Sequence, residues 1–191
     1  MERLVFMMAL AMGLATAVPA EDRAEGNGKG KSLVVFFSKT NTTRTFAEEI
    51  QRQVGGDIFE VVPKNPYPAD YRKTTEIARA EQDDAARPEL VATMSPEEMD
   101  GYDTVFIGYP IWWGMMPMVM LTFLEQFDLA GKTVVPFCTH GGSSIIRSRD
   151  AIIALYKDAT VRQGLCLSSS ALDSQSRERI TEWLRQVGMI K

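Results

Sequence analysis

Short apolar runs alternate with amphipathic segments along most of this 191-residue chain. The runs are nearly continuous in Val, Ile and Phe, which predicts strands that are buried on both faces. The predicted strands are 32–37, 57–62, 104–109, 133–138 and 164–168, and the predicted helices are 43–54, 117–127, 144–156 and 174–187. This alternation indicates an α/β fold, a doubly wound five-stranded parallel sheet with helices on both faces.

A more polar segment, residues 63–103, separates the second and third predicted strands. It opens with a Pro-rich turn and continues as a predicted surface helix, 71–86. Its few apolar positions predict packing through the side that carries Tyr71, Ile77 and Ala78 with Ala80. Tyr67 and Tyr71 either staple this helix to the sheet or border a ligand.

An aromatic loop follows the third predicted strand. Residues 110–114 read Pro-Ile-Trp-Trp-Gly, and large apolar side chains are unusual where a strand ends in a loop. Trp112 and Trp113 therefore indicate a flat binding partner, which we interpret as a cofactor.

A hydroxyl-rich loop follows the first predicted strand. Ser38-Lys39-Thr40-Asn41-Thr42-Thr43 lies between that strand and a helix. The first amides of a helix are unpaired and carry the positive end of its dipole, so a phosphate monoester would fit here without a metal. The alternative is that these residues only cap the helix.

A glycine-containing loop, residues 139–144, follows the fourth predicted strand. Gly141 and Gly142 would let the backbone approach a ligand closely. His140 is either satisfied by the loop backbone or a polar neighbour of the ligand. Ligands in open α/β sheets bind beyond the carboxyl ends of the strands, so all three loops are expected to meet at one edge.

The composition fits one domain with a single core and argues against a nucleic-acid partner. Hydrophobic residues make up 45% of the chain, which is enough for one domain. The chain has 21 Lys and Arg against 25 Asp and Glu, and the basic residues are scattered. This pattern argues against nucleic acid as a partner.

The N-terminus differs from the rest. Leu4 to Pro19 is almost unbroken in apolar residues and ends in small residues, which predicts a signal peptide over residues 1–20. Residues 21–31 would form a flexible lead-in to a domain over 32–191. We therefore expect a periplasmic or secreted protein with no stable membrane span after cleavage. An uncleaved interfacial anchor or a buried helix is the alternative, and the protein would be cytoplasmic if the segment is not a signal.

The two cysteines, Cys138 and Cys166, fall in predicted strands. They could pair in an oxidising compartment. If their strands are adjacent and parallel, the geometry is poor for a disulfide, which favours reduced thiols.

Other chemistries fit the sequence less well. Cys138 lacks the Arg that a Cys-x5-Arg phosphatase needs six positions later, where Ser144 stands. Residues 141–145 lack the second Gly of a hydrolase elbow, although His140 could serve as a base. One His and two separated Cys do not have metal-ligand spacing. We assign no catalytic residue and no metal ligand.

The three loops together resemble those of the flavodoxin family, in particular its bacterial, single-domain, exported branch. Residues 36–43, 108–114 and 139–143 are similar to its phosphate loop and its two flavin-flanking loops, and the likeness covers about 32–190. The pattern departs from the family at Asn41, where Gly is usual. Asn tolerates the left-handed conformation better than other non-Gly residues, so the loop can keep its shape.

The resemblance implies the strand order 2-1-3-4-5 and noncovalently bound flavin mononucleotide (FMN). It implies electron transfer, either as a carrier or as an FMN-dependent oxidoreductase with a quinone-type acceptor, and a redox partner protein or small electron acceptor. The alternative is a flavin-free binding module that uses the Trp112/Trp113 surface. The implied cofactor-binding residues are Ser38, Thr40, Asn41, Thr42, Thr43, Pro110, Ile111, Trp112, Trp113, Gly114, Thr139, His140, Gly141, Gly142 and Ser143.

Overall fold

A computed structural model describes residues 30–168 and 172–191 of the chain. The predicted signal peptide, residues 1–20, and residues 21–29 of the predicted lead-in lie outside the described residues. Within the described ranges, no helix is long and apolar enough to cross a membrane.

Strands and helices alternate along the described chain as the apolar pattern predicts. The strands are β1 (Ser32–Phe36), β2 (Asp57–Glu60), β3 (Thr104–Pro110), β4 (Thr133–His140), β5 (Thr160–Val161) and β6 (Leu165–Ser168). The helices are α1 (Thr42–Val54), α2 (Tyr71–Asp83), α3 (Pro96–Asp100), α4 (Met118–Leu124), α5 (Ile146–Leu155) and α6 (Ser174–Gln186). Most predicted elements are therefore present, with ends that shift by a few residues.

The sheet is parallel and has the order β2-β1-β3-β4-β5, which confirms the predicted fold. The fifth position differs in detail, because both β5 and β6 pair with β4. Between them, Val135 and Pro136 stand opposite the three residues 162–164. Pro136 has no N–H to donate, and the extra residue forms a bulge that separates β6, which matches the predicted strand 164–168, from the short β5, which was not predicted.

Apolar side chains fill both faces of the sheet. On one face, Phe46 and Ile50 of α1 and Trp183 of α6 pack against Val34 and Phe106. On the other, α4, α5 and the segment before β3 cover a second cluster that includes Val35, Ile107 and Phe123. Packing on both faces fixes the strands and therefore the loops that leave their carboxyl ends.

Helix α2 packs through only part of the predicted face. Thr74 and Ala78 are buried, whereas Tyr71 is 80% exposed and Ile77 is 39% exposed. The Thr74 hydroxyl donates to the carbonyls of Pro68 and Asp70 at 2.8 and 2.9 Å. Because these bonds satisfy the hydroxyl, a polar residue can take a buried position. The prediction was therefore right for Ala78 and wrong for Tyr71, Ile77 and Ala80.

Candidate functional site

A cleft of about 640 Å³ lies at the carboxyl ends of β1, β3 and β4. Its volume is typical of a small-ligand site, roughly 300–1,000 Å³. The three predicted loops meet there as expected, and α2 forms a further wall. Predicted residues that line the cleft are Thr40, Thr42, Thr43, Pro110, Ile111, Trp112, Trp113, Gly114, Thr139, His140, Gly141 and Ser143.

Three other predicted residues shape the loops without lining the cleft: Ser38, Asn41 and Gly142. Asn41 precedes α1 with φ 63°, the left-handed conformation that the family's Gly would adopt, and Gly142 has φ 121°. The Asn41 side chain does not cap the helix. The first-turn amides of α1 are thus left to solvent or a ligand.

The hydroxyl-rich loop contains both satisfied and unsatisfied hydroxyls. Thr43 Oγ1 and Thr139 Oγ1 are 2.9 Å apart in a buried hydrogen bond that ties this loop to the end of β4. Thr40 and Thr42 are more open, and their hydroxyl oxygens lie 3.4 Å apart. Ser38 Oγ is buried and has no hydrogen-bond partner among the described residues. A buried orphan hydroxyl is costly, and its position in this loop is consistent with a ligand that accepts a hydrogen bond.

The aromatic loop is a tight turn. Trp112 and Met115 exchange two backbone hydrogen bonds of 2.8 and 3.0 Å, and the residues between them, Trp113 and Gly114, have φ of 52° and 76°. Positive φ at both central positions is the pattern of a type I′ turn. The turn holds the two indoles at one end of the cleft.

The two tryptophans have different surroundings. The Trp112 ring makes edge contacts with Phe37 and Tyr67, with centroids 5.5 and 4.9 Å apart. Trp113 is 52% exposed, and its indole N–H donates to the Thr75 carbonyl at 2.9 Å. Trp112 is therefore held by its ring contacts with Phe37 and Tyr67, whereas Trp113 connects the loop to α2 through a hydrogen bond.

The support beneath Trp112 includes a half-buried polar pair. Tyr67 donates its hydroxyl to Glu81 at 2.7 Å. Burial raises the pKa of Glu81 above its usual range, although the bond from Tyr67 opposes this shift. Burial likewise raises the pKa of Tyr67, and Glu81 adds to the effect. The Tyr67 hydroxyl therefore keeps its proton, and its hydrogen bond to Glu81 fixes the Tyr67 ring that contacts Trp112.

The glycine-containing loop positions His140. The Gly142 N–H donates to His140 Nδ1 at 2.9 Å, so the ring proton belongs on Nε2. His140 is thus oriented by the loop backbone and also lines the cleft. The two alternatives raised by the sequence are compatible.

Tyr71, which the sequence left open as a neighbour of the ligand, lines the cleft. Four further lining residues were not predicted: Lys39, Thr74, Thr75 and Ala78. Lys39 was within the hydroxyl-rich loop, where a cation beside four hydroxyls was an available signal. Among the described residues that line the cleft, Lys39 carries the positive charge. Its Nζ lies 3.5 Å from the Ala69 carbonyl. Arg44, the nearby cation, is engaged with Glu60. The cleft thus favours an anion at the end formed by this loop.

The described residues contain no group of three or more His, Cys, Asp or Glu side chains placed to hold a metal ion. The α1 terminus, the hydroxyls and Lys39 are the groups available to an anion.

Comparison with known proteins decides the family. The flavodoxin family model matches residues 31–187, which is most of the chain. The chain belongs to the flavodoxin family. No match is found among curated proteins.

Solved flavodoxin-family structures agree with this assignment. A candidate flavoprotein from Bacteroides eggerthii is 37% identical, with 83% of this chain and 98% of that chain covered and a TM-score of 0.72. A second, from Bacteroides uniformis, is 34% identical, with 82% and 99% covered and a TM-score of 0.72. A flavoprotein from Lactobacillus acidophilus, solved in complex with FMN, is 21% identical, with 81% and 98% covered and a TM-score of 0.60. The last shares the fold.

Proposed function

We propose that this chain binds FMN noncovalently in the cleft and works as a flavin-dependent redox protein. The carrying observation is that one cleft joins an anion-binding end, with Lys39, open hydroxyls and the α1 terminus, to an aromatic end with Trp112 and Trp113. Membership of the flavodoxin family supports this proposal, and a protein of the same fold is known with FMN bound.

The residues at the anion-binding end would hold the phosphate. Thr40 and Thr42 supply hydroxyls from the lining of the cleft, and Thr43 shares its hydroxyl with Thr139. Ser38, whose hydroxyl has no partner among the described residues, belongs to the same loop. Hydrogen bonds to a charged acceptor are worth about 1.5–3 kcal/mol each. Lys39 adds a positive charge. FMN should thus be preferred over riboflavin, which lacks the phosphate.

The residues at the other end would hold and shield the ring. Trp112 and Trp113 offer aromatic surface, Ile111 and Pro110 exclude water, and His140 offers a polar edge. Bound FMN supplies the electron-transfer chemistry, and the protein tunes it through stacking, hydrogen bonds and charge. No side chain is needed as a general acid or base.

The expected partner is a redox protein or a small quinone-type acceptor. An electron carrier and a reductase would use the same cleft. The carrier would pass electrons to a redox protein, and the reductase would pass them to a small quinone-type acceptor. The aromatic surroundings disfavour added negative charge on the ring. The midpoint potential of bound FMN should therefore lie below that of free FMN.

A redox titration of the FMN-loaded protein with mediator dyes tests this role. Free FMN in the same cell is the control. A lower potential, together with reoxidation of the reduced complex by benzoquinone, supports a redox protein. A potential equal to that of free FMN would show that the cleft binds the flavin without tuning it.

We also propose that the protein is exported and that the mature chain begins near Glu21. The support is the apolar run from Leu4 to Pro19 and the small residues in which it ends. Intact-mass measurement on protein from its native host tests this. A mass that still includes Met1 would contradict it.

A further inference from the structure

The sheet brings the two cysteines of the chain together at an edge strand. Cys138 of β4 and Cys166 of β6 are register partners on adjacent parallel strands. Both are free thiols, and their sulfur atoms lie 3.2 Å apart. The sequence predicted reduced thiols if the two strands are adjacent and parallel, and they are. The two sulfur atoms nevertheless face each other on the same side of the sheet.

The surroundings of the two thiols differ in a way that suits stepwise oxidation. Cys138 is fully buried, and burial, reinforced by the neighbouring Cys166 thiol, raises its pKa well above the ordinary value. Cys166 is half-buried, so a soluble reagent can reach it. The accessible thiol should react first, and the buried one should complete the bond.

Strand β6 is where a covalent link would matter. It contains four residues, and among the described strands it pairs with β4. The register partners after the cysteines are Thr139 with Leu167 and His140 with Ser168, so this pairing supports two residues that line the cleft. A bond between Cys138 and Cys166 would fasten the short edge strand next to the start of the glycine-containing loop.

We propose that Cys138 and Cys166 are a disulfide-forming site that staples β6 to β4 in an oxidising compartment. The oxidant is a disulfide, carried by a thiol-oxidase protein or by glutathione. The Cys166 thiolate attacks one sulfur of the oxidant, whose S–S bond breaks and releases one thiolate. The Cys138 thiol then gives its proton to that thiolate and attacks the Cys166 sulfur. The second half of the oxidant leaves as a thiolate and takes up the proton that Cys166 lost when it ionised. Two protein thiols are oxidised and one oxidant disulfide is reduced.

The test uses the full chain and glutathione disulfide, and it is independent of flavin binding. Folded protein is incubated with glutathione disulfide and quenched in acid. The remaining free thiols are then alkylated, and the intact mass is measured. The wild-type chain should lose both thiols, become lighter by two hydrogens and carry no glutathione. The Cys138→Ala variant should retain one glutathione on Cys166, whereas the Cys166→Ala variant should remain unmodified because Cys138 is buried.

Thermal unfolding of the oxidised and reduced wild-type protein gives a second readout. A disulfide between Cys138 and Cys166, which are 28 positions apart in the sequence, should raise the Tm by roughly 5–10 °C. Dithiothreitol should reverse the rise. Two intact thiols, a lasting glutathione adduct on the wild-type chain, or an internal disulfide that forms only in urea would each overturn the proposal. An unchanged Tm would overturn the stapling. Since the wild-type protein alone gives these outcomes, the test does not depend on whether the variants fold.

Discussion

Asn41 sets the backbone conformation at the start of α1, beside the proposed phosphate-binding end of the cleft. It has φ 63°, where a side chain other than Gly usually costs about 1–2 kcal/mol, and Asn costs less than most. Its Oδ1 accepts from Arg44 Nε at 3.2 Å, which holds the side chain outside the cleft. The substitution of the family's Gly by Asn is thus accommodated by the backbone.

Substitutions at Asn41 should follow this conformational preference. Asn41→Gly should leave the free energy of unfolding within about 1 kcal/mol of wild type, and Asn41→Val should lower it by about 1–2 kcal/mol and weaken FMN binding. Ala85, with φ 49°, is a matched control outside the cleft. Ala85→Val should lower stability without changing FMN affinity, as measured by urea unfolding and flavin titration. Full stability and affinity in Asn41→Val would contradict the role of the left-handed conformation.

Thr40 offers the cleanest test of the phosphate contact. Thr43 is bonded to Thr139, so its replacement would also orphan a buried hydroxyl, whereas Thr40 is exposed and lines the cleft. Thr40→Val should weaken FMN binding by about 1–3 kcal/mol and leave riboflavin binding unchanged. Thr122→Val, on α4 and outside the lining set, is the control. Equal losses for FMN and riboflavin would show that Thr40 does not meet the phosphate.

At the scale of elements, α2 becomes part of the site through one loop. The Trp113 indole donates to Thr75 of α2, and Arg79 of α2 lies over its ring at 5.7 Å. Thr74 and Ala78 are the buried side of the helix. The aromatic loop therefore positions a wall of the cleft as well as a ring surface.

Trp113→Phe should loosen α2 while keeping an aromatic ring in the cleft. Loss of the N–H bond should cost about 0.5–1.5 kcal/mol of stability and speed amide hydrogen exchange in α2. Trp183→Phe is the matched control, because Trp183 donates to the Gln163 carbonyl at 2.9 Å on the other face of the sheet. That variant should lose stability without faster exchange in α2. Equal exchange rates in both variants would contradict the link between the loop and the helix.

The sequence was most informative where burial dictates the pattern. Continuous apolar runs specify strands covered on both faces, and the topology then gathers the loops after β1, β3 and β4 at one edge. It was least informative where a buried polar group is satisfied by nearby backbone. The Thr74 hydroxyl, bonded to the carbonyls of Pro68 and Asp70, takes a buried position of α2 that the apolar pattern did not predict, and the short strand β5 was not predicted. The different roles of Trp112 and Trp113 depend on partners far along the chain.

At the scale of the whole molecule, α1 connects the cleft to α6. Its first turn lines the cleft, and its later residues pack with α6 on one face of the sheet. Glu49, which is only 4% exposed, accepts from Arg52 and Gln53 and lies 3.7 Å from Arg177 of α6. The hydrogen bond from Arg52 is the main cause of the lowered pKa of Glu49, which burial partly opposes.

This lowered pKa predicts acid lability. The stability that ionised Glu49 contributes is fully present above the pKa of this carboxyl group in the unfolded chain, about 4.5. It is lost as the pH falls through the lower pKa that Glu49 has in the folded protein. Glu49→Gln should cost about 1–2 kcal/mol at pH 7, and the gap to wild type should narrow below pH about 4.5. Urea unfolding across pH measures this, with Glu48→Gln, at an exposed position of the same helix, as the control. A gap that is constant with pH would rule out the charge as its source.

Equilibrium titration of the flavin-free full chain with FMN and with riboflavin, followed by flavin fluorescence, tests the central proposal most directly. The cleft combines the proposed phosphate-binding end with an aromatic end, so FMN should bind with one-to-one stoichiometry and at least about tenfold more tightly than riboflavin, a difference of about 1.4 kcal/mol. Failure to bind either flavin would contradict the proposal and favour a flavin-free binding module, and equal affinities would contradict the phosphate site.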